Sequence, residues 1–178
     1  MSVNKILTCL LTVSLMGTLT GCDYVDKIRP KTELEQIKEQ IELSTLTKVE
    51  KYELFKGNTD NVDVLFNLKH EALKEQCTQA IHEGFESTTI GKSFGFNEHD
   101  QNNFTQQLLI IVAAGGNYTL PIKWKSLDGS VNELTSQEFQ ALISEATAHK
   151  ISNQEKFWAL EQQLLAATTK EEIIAIEW

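Results

Sequence analysis

Apolar residues recur along this chain in runs of different period, and the period changes mark its elements. Ile6 to Leu15 forms a short apolar stretch with no acidic residue, preceded by one basic residue, Lys5. Leu34, Ile37 and Ile41 follow at spacings of three and four, behind the capping box Thr32-Glu33-Leu34-Glu35, and predict a helix from Thr32. Ser44 and Thr45 interrupt the stripe; Leu46, Val49 and Leu54 extend it to a stop at Gly57-Asn58. A second helix is predicted over residues 61–83. Its face is Val62, Leu65, Phe66, Leu73, Cys77, Ala80 and Ile81, and Gly84 ends it.

The period then shortens. Residues 85–96 are β-branched and aromatic, are broken at Gly91, and predict a short hairpin. Asn97 or Asp100 caps a third helix carrying Phe104, Leu108, Leu109, Ile111 and Val112, with a stop at Gly115-Gly116. Residues 118–124 alternate like a strand, and Pro121, which lacks an amide donor, places that strand at an edge. Asp128-Gly129 turns the chain so that residues 131–134 pair back. The capping box Thr135-Ser136-Gln137-Glu138 opens the longest helix, with Phe139, Leu142, Ile143, Ala146, Phe157, Leu160 and Leu164 on its stripe. A last helical turn over residues 170–176 precedes Trp178. The expected fold class is α+β and mostly α: helices packed on one or two short β-hairpins, behind a signal peptide and a tether. The segments are a leader at 1–21, a tether at 22–31, an N-terminal helix or short stalk at 32–60, and a domain at 61–178.

The leader has the three parts of an export signal: a basic start, an apolar middle and a small-residue end. That end, Leu19-Thr20-Gly21-Cys22, resembles the lipobox of bacterial lipoproteins. The resemblance implies cleavage before Cys22 and acylation of its thiol, so the partner of this residue is membrane lipid. The apolar run falls short of the roughly 20 residues of a membrane span. The expected localisation is therefore export and lipid anchoring; Asp23 resembles the signal that keeps a lipoprotein in the inner membrane, facing the periplasm, of a host with two membranes.

A second resemblance runs from about Leu68 to the end. Asp100-Gln101-x-Asn103-Phe104, Ile122-Lys123-Trp124 before Asp128-Gly129, Leu134-Thr135-Ser136-Gln137-Glu138-Phe139, His149-Lys150 and Ala167-Thr168-Thr169-Lys170-Glu171-Glu172-Ile173 stand in one order. The set resembles a domain of unknown function at the C-terminal end of phage tail and tail-fibre proteins and their prophage relatives. Together the two resemblances imply a prophage-type lipoprotein that acts as a protein-interaction module at the envelope, with superinfection exclusion as a concrete role. A structural tail accessory with an uncleaved N-terminus is the alternative, and an envelope enzyme a remoter one.

Charge narrows the partners. The chain carries 16 Lys and Arg against 25 Asp and Glu. Without the leader the balance is 15 against 25, a net of −10. Such a chain disfavours nucleic acid and anionic lipid, so no nucleic-acid partner is expected, and the acyl chains have to hold it at a membrane. The envelope or phage protein it would contact is not identified by the sequence.

Candidate chemistry is sparse. Cys9 leaves with the leader and Cys22 is the lipidation site, which leaves Cys77 as a lone thiol on an apolar helical face, read as a small buried hydrophobe. His70, His82, His99 and His149 lack a His or Cys partner at ligand spacing, so no metal is expected. His99-Asp100 is the one close His–carboxylate pair, and capping accounts for Asp100. No catalytic residue and no cofactor is expected. Among the aromatics, Phe94, Phe96 and Phe157 are read as core, while Trp124, Trp158 and Trp178 are expected at the surface as candidate binding residues.

Overall fold

A computed structural model of the chain describes residues 39–40, 42–116 and 118–178. The leader, Cys22, the tether and the Thr32 capping box lie outside the described residues. The architecture is mostly helical, with two short antiparallel strand pairs: α1 (Lys48–Lys56), α2 (Val62–His82), β1 (Phe85–Ser87), β2 (Lys92–Phe94), α3 (Glu98–Ala113), β3 (Ile122–Lys125), β4 (Val131–Leu134), α4 (Ser136–Ala166) and α5 (Lys170–Ala175). The described chain divides into two compact units. One holds the residues up to Ala72 with Thr168–Ile174, the other Leu73–Ala167 with Ala175–Trp178.

The first unit departs from its sequence reading. The stripe through Leu46, Val49 and Leu54 does not continue an earlier helix. The chain bends at Leu46 and restarts at α1 behind its own capping box, in which Thr47 accepts from the Glu50 amide and the Glu50 carboxylate accepts from Thr47. A local cap satisfies the orphan amides of a new helix and so favours a restart over a continuous rod. Tyr52 is buried in this unit and lies beneath the buried Lys69, whose ammonium stands 4.2 Å from the ring centre. Lys170 pairs with Asp60 at 2.8 Å, and Ile173 of α5 is fully buried.

The second unit holds the larger core. α2 contributes Cys77 and Ile81, β1 and β2 contribute Phe85 and Phe94, α3 contributes Phe104 and Ile111, and α4 contributes Phe139, Leu142 and Ala146. Phe85, Phe96 and Phe104 meet edge to face or tilted, with centroids 5.7–6.4 Å apart. β1 pairs with β2 in the register Phe85↔Phe94, and β3 with β4 in the register Ile122↔Leu134. Gly84 links α2 to β1 at φ +95°, and a Cβ there would lie 2.2 Å from the Phe94 carbonyl oxygen.

Two local expectations fail in this unit. β3 begins at Ile122, so residues 118–120 are not strand. Pro121 has no amide to add to the ladder, and the Tyr118 carbonyl accepts from Ser136 Oγ at 2.5 Å instead. On α3, Phe104 and Ile111 are buried, yet Leu109 and Val112 are each 62% exposed. At roughly 100° per residue, Leu109 sits about 140° round the helix from Phe104, so the apolar run at 108–112 exceeds the face the core covers.

Candidate functional site

Two polar clusters pin the hairpins of the second unit, and each could be mistaken for chemistry. Glu145, on α4, reaches the β1–β2 turn. Ser87 and Thr88 donate their hydroxyls to its carboxylate at 2.5 and 2.6 Å, and Thr89 adds its amide and hydroxyl at 3.0 Å. Partial burial pushes this carboxyl up, but the hydroxyls of Ser87 and Thr88 and both donors of Thr89 outweigh it and bring it down to about 2.

Asp128 does the same for the β3–β4 turn. It accepts from the hydroxyls of Ser126 and Ser130, the Ser130 amide and the Lys92 ammonium, and these donors hold it well below the usual carboxylate range. Lys92 also donates to Ser130 Oγ at 2.5 Å. A serine beside a lysine can form a nucleophile and base only if the amine is free to take a proton. Here the Lys92 ammonium is paired with Asp128 at 3.0 Å, and the Ser130 hydroxyl donates to the same carboxylate. The cluster is a clamp between hairpins, reinforced by the Leu127 amide donating to the Ser93 carbonyl at 2.8 Å.

The three tryptophans named from sequence are not brought together, and Trp124 differs from its expected exposure. Its ring packs 4.5 Å from Phe104 and 4.9 Å from Phe139 by centroids, half-buried against the core. Trp178 also packs partly on the core, with Lys156 Nζ 4.4 Å above its ring. Trp158 is the exposed one, at 53%. It shares a line on α4 with the exposed Ile151 and Leu165, at steps of seven residues that drift only about 20° each. This line lies about 140° from buried Ala146, measured to Ile151, and escaped a reading that followed the core stripe.

The remaining candidates resolve locally. Cys77 is buried, its thiol donates to the Asn153 carbonyl at 3.5 Å, and burial pushes its pKa up. His149 is half-buried, with Nε2 3.1 Å from the Ala80 carbonyl and its ring against Phe85. Asp100 completes the α3 cap: its amide donates to Asn97 Oδ1 at 3.0 Å, and the Asn97 amide donates to Asp100 Oδ2 at 3.2 Å. Among the described residues, no group of three or more His, Cys, Asp or Glu could hold a metal ion.

Two clefts flank α3. One, of about 260 Å³, lies between α3 and α4 over Phe104, Leu108, Ile143 and Ala146, with Lys150 donating to Gln101 at 2.9 Å on its rim. The other, of about 390 Å³, lies between α3 and β3. Asn103, Gln106 and Gln107 line its helical side, and Lys123, Trp124 and Lys125 its strand side.

Residues 66–177 match a protein family described as a domain of unknown function, DUF4376. The chain belongs to that family. Neither the curated proteins nor the solved structures contain a match. The DUF4376 region begins within α2 and takes in both hairpins, both clamps and both clefts. Its limits lie close to the span that starts near Leu68 in the sequence, and α1 precedes it.

Proposed function

We propose that this chain is a lipid-anchored envelope protein whose DUF4376 region is held at the membrane surface as a protein-interaction module. The observation that carries the reading is the tetrad Leu19-Thr20-Gly21-Cys22, placed where a basic start and an apolar run end. Two or more acyl chains on Cys22 would anchor the chain firmly, since each buried methylene adds about 0.8 kcal/mol. Among the described residues no helix is long and apolar enough to cross a membrane. A binding role rather than a catalytic one is supported by the two clamps, in which the Ser87 and Thr88 hydroxyls are held by Glu145 of α4 and Asp128 ties the Lys92 ammonium to the β3–β4 turn.

The ordered motifs from Asp100 to Ile173, similar to a phage tail-associated domain, favour a prophage-derived role such as exclusion of superinfecting phage. Asp23 favours the inner membrane where the host has two. The deciding experiment is mass spectrometry of the N-terminal peptide with and without globomycin. Acylated Cys22 in untreated cells and retained leader in treated cells are expected. Full-length, unmodified protein in the soluble fraction overturns the anchor. Unchanged plaquing of related phage on a host that expresses the correctly located protein overturns the exclusion role.

A further inference from the structure

We propose that the exposed face of α4 is a self-association surface, on which a second copy of this chain packs antiparallel. Ile151, Trp158 and Leu165 stand on that face at steps of seven residues and are 46%, 53% and 60% exposed. Glu155 and Gln162 run beside them, four residues on from Ile151 and Trp158, and Ser152, Ala159 and Ala166 form the far flank; all five are exposed. Seven residues make almost two helical turns, so each row returns to the same side and the three rows form one strip about 24 Å long.

The order of residues in the strip points to a second copy as its occupant. A two-fold axis beside Trp158 sets Trp158 against Trp158 of the second copy and Ile151 against its Leu165. The same axis sets Glu155 against Gln162 of the second copy, so the one carboxylate of the strip meets an amide that can donate to it. Parallel pairing would set Glu155 against Glu155 at the same height, which two carboxylates resist. Ser152, Ala159 and Ala166 carry little beyond Cβ, so on that flank the helix axes can close to about 8 Å, the lower end of helix packing distances. Charge agrees with this assignment. Acidic chains repel their own copies except where charge is sparse, and Glu155 is the one ionisable residue among these three rows.

The strip offers on the order of 500 Å² per copy, less than the roughly 800 Å² per partner of a standard stable interface, so the pair is weak and reversible in solution. Copies held on one membrane, as proposed above, would meet at a higher effective concentration. The inference names a surface and a partner for the interaction module. It is tested on the purified chain, so its failure is distinct from failure of the anchor or of phage exclusion.

The test uses the full chain in detergent micelles, with its mass read by sedimentation over a concentration series. A concentration-dependent dimer is expected. Gln162→Glu, which opposes two carboxylates at both ends of the strip, is expected to weaken it about tenfold, and adding Glu155→Lys to restore it. Both positions are exposed, so the folded monomer tolerates these changes. Disulfide trapping reads the orientation, and Cys77 is buried and does not compete. A mixture of Ser152→Cys and Ala166→Cys copies is expected to cross-link, while neither variant alone exceeds the parent chain. Ser152→Cys that cross-links with itself overturns the antiparallel pairing. A single-chain mass up to millimolar concentration overturns the proposal, and so does a Gln162→Glu chain that pairs as before. Leu109→Glu, at an exposed apolar site on α3, is expected to leave the dimer intact; a loss equal to that of Gln162→Glu would mean unspecific clumping and overturns it as well.

Discussion

Glu145 joins long-range structure to pH. Its carboxyl titrates near 4.5 in an unfolded chain and near 2 in the folded one. The folded value is the depressed one, so the charged form is favoured by folding. The stabilisation is complete above about pH 4.5 and is lost as pH falls towards 2. Glu145→Gln should destabilise the protein by about 1–2 kcal/mol at pH 7, less than the full value for charged hydrogen bonds because the site is partly solvated. Thermal unfolding of both proteins between pH 7 and pH 2.5 tests this, and the gap between them should narrow on the acid side. A gap that stays constant with pH would mean that shape, not charge, holds the turn. Gly84 is a second single-residue control. Gly84→Ala should destabilise by at least about 2 kcal/mol, since it adds a left-handed backbone penalty to a close approach to the Phe94 carbonyl. Chemical denaturation measures it, and a loss below about 0.5 kcal/mol would refute the clash.

Elements were legible from sequence where their signals are local. The Thr135 capping box, the Asp128-Gly129 turn and the stop at Gly84 are each written within a few residues, and each stands where the pattern puts it; of the two caps the sequence offers for α3, Asn97 is the cap and Asp100 completes its box. The Thr47–Glu50 box is equally local. It was obscured because the apolar spacing from Ile41 to Leu54 suggests one helix, whereas two helices in tandem satisfy the same spacing. The faces of α3 and the burial of Trp124 were not legible, because both depend on which elements lie opposite. Phe104 and Phe139 draw Trp124 inwards, and nothing near position 124 announces them. The groove between α3 and β3 was hidden for the same reason: its two sides lie some 20 residues apart and only the fold joins them. This contrast separates the tryptophans by experiment. Trp124→Ala should destabilise by about 2–3 kcal/mol as a half-buried aromatic, and Trp158→Ala by no more than about 0.5 kcal/mol as a surface one. If Trp158→Ala also leaves partner recovery from cross-linked envelopes unchanged, the exposed line from Ile151 to Leu165 is not a contact surface.

At the scale of the whole molecule, the proposed anchor would receive no help from charge. A net charge of −10 after removal of the leader gives no electrostatic attraction to anionic lipid, and near such a surface it is repulsive within a Debye length of about 8 Å at physiological salt. The basic residues that could offset this are engaged elsewhere in several places: Lys92 with Asp128, Lys170 with Asp60, and Lys156 over Trp178. An acyl-anchored chain of this kind should therefore have no secondary hold on the bilayer. Cys22→Ser, which removes the proposed acylation site, should leave membranes completely, and to the same extent at low and at high salt. Lowering the ionic strength strengthens surface attraction, so a basic patch acting as a co-anchor would show itself as residual binding in the low-salt wash. Fractionation of cells expressing Cys22→Ser, washed at both ionic strengths, decides between the two. Residual binding that salt removes would mean that a local cationic surface outweighs the overall acidity. Release at both strengths would leave the lipid as the sole tether and the acidic surface as the means by which the DUF4376 region stays off the headgroups, with its clefts open to partners.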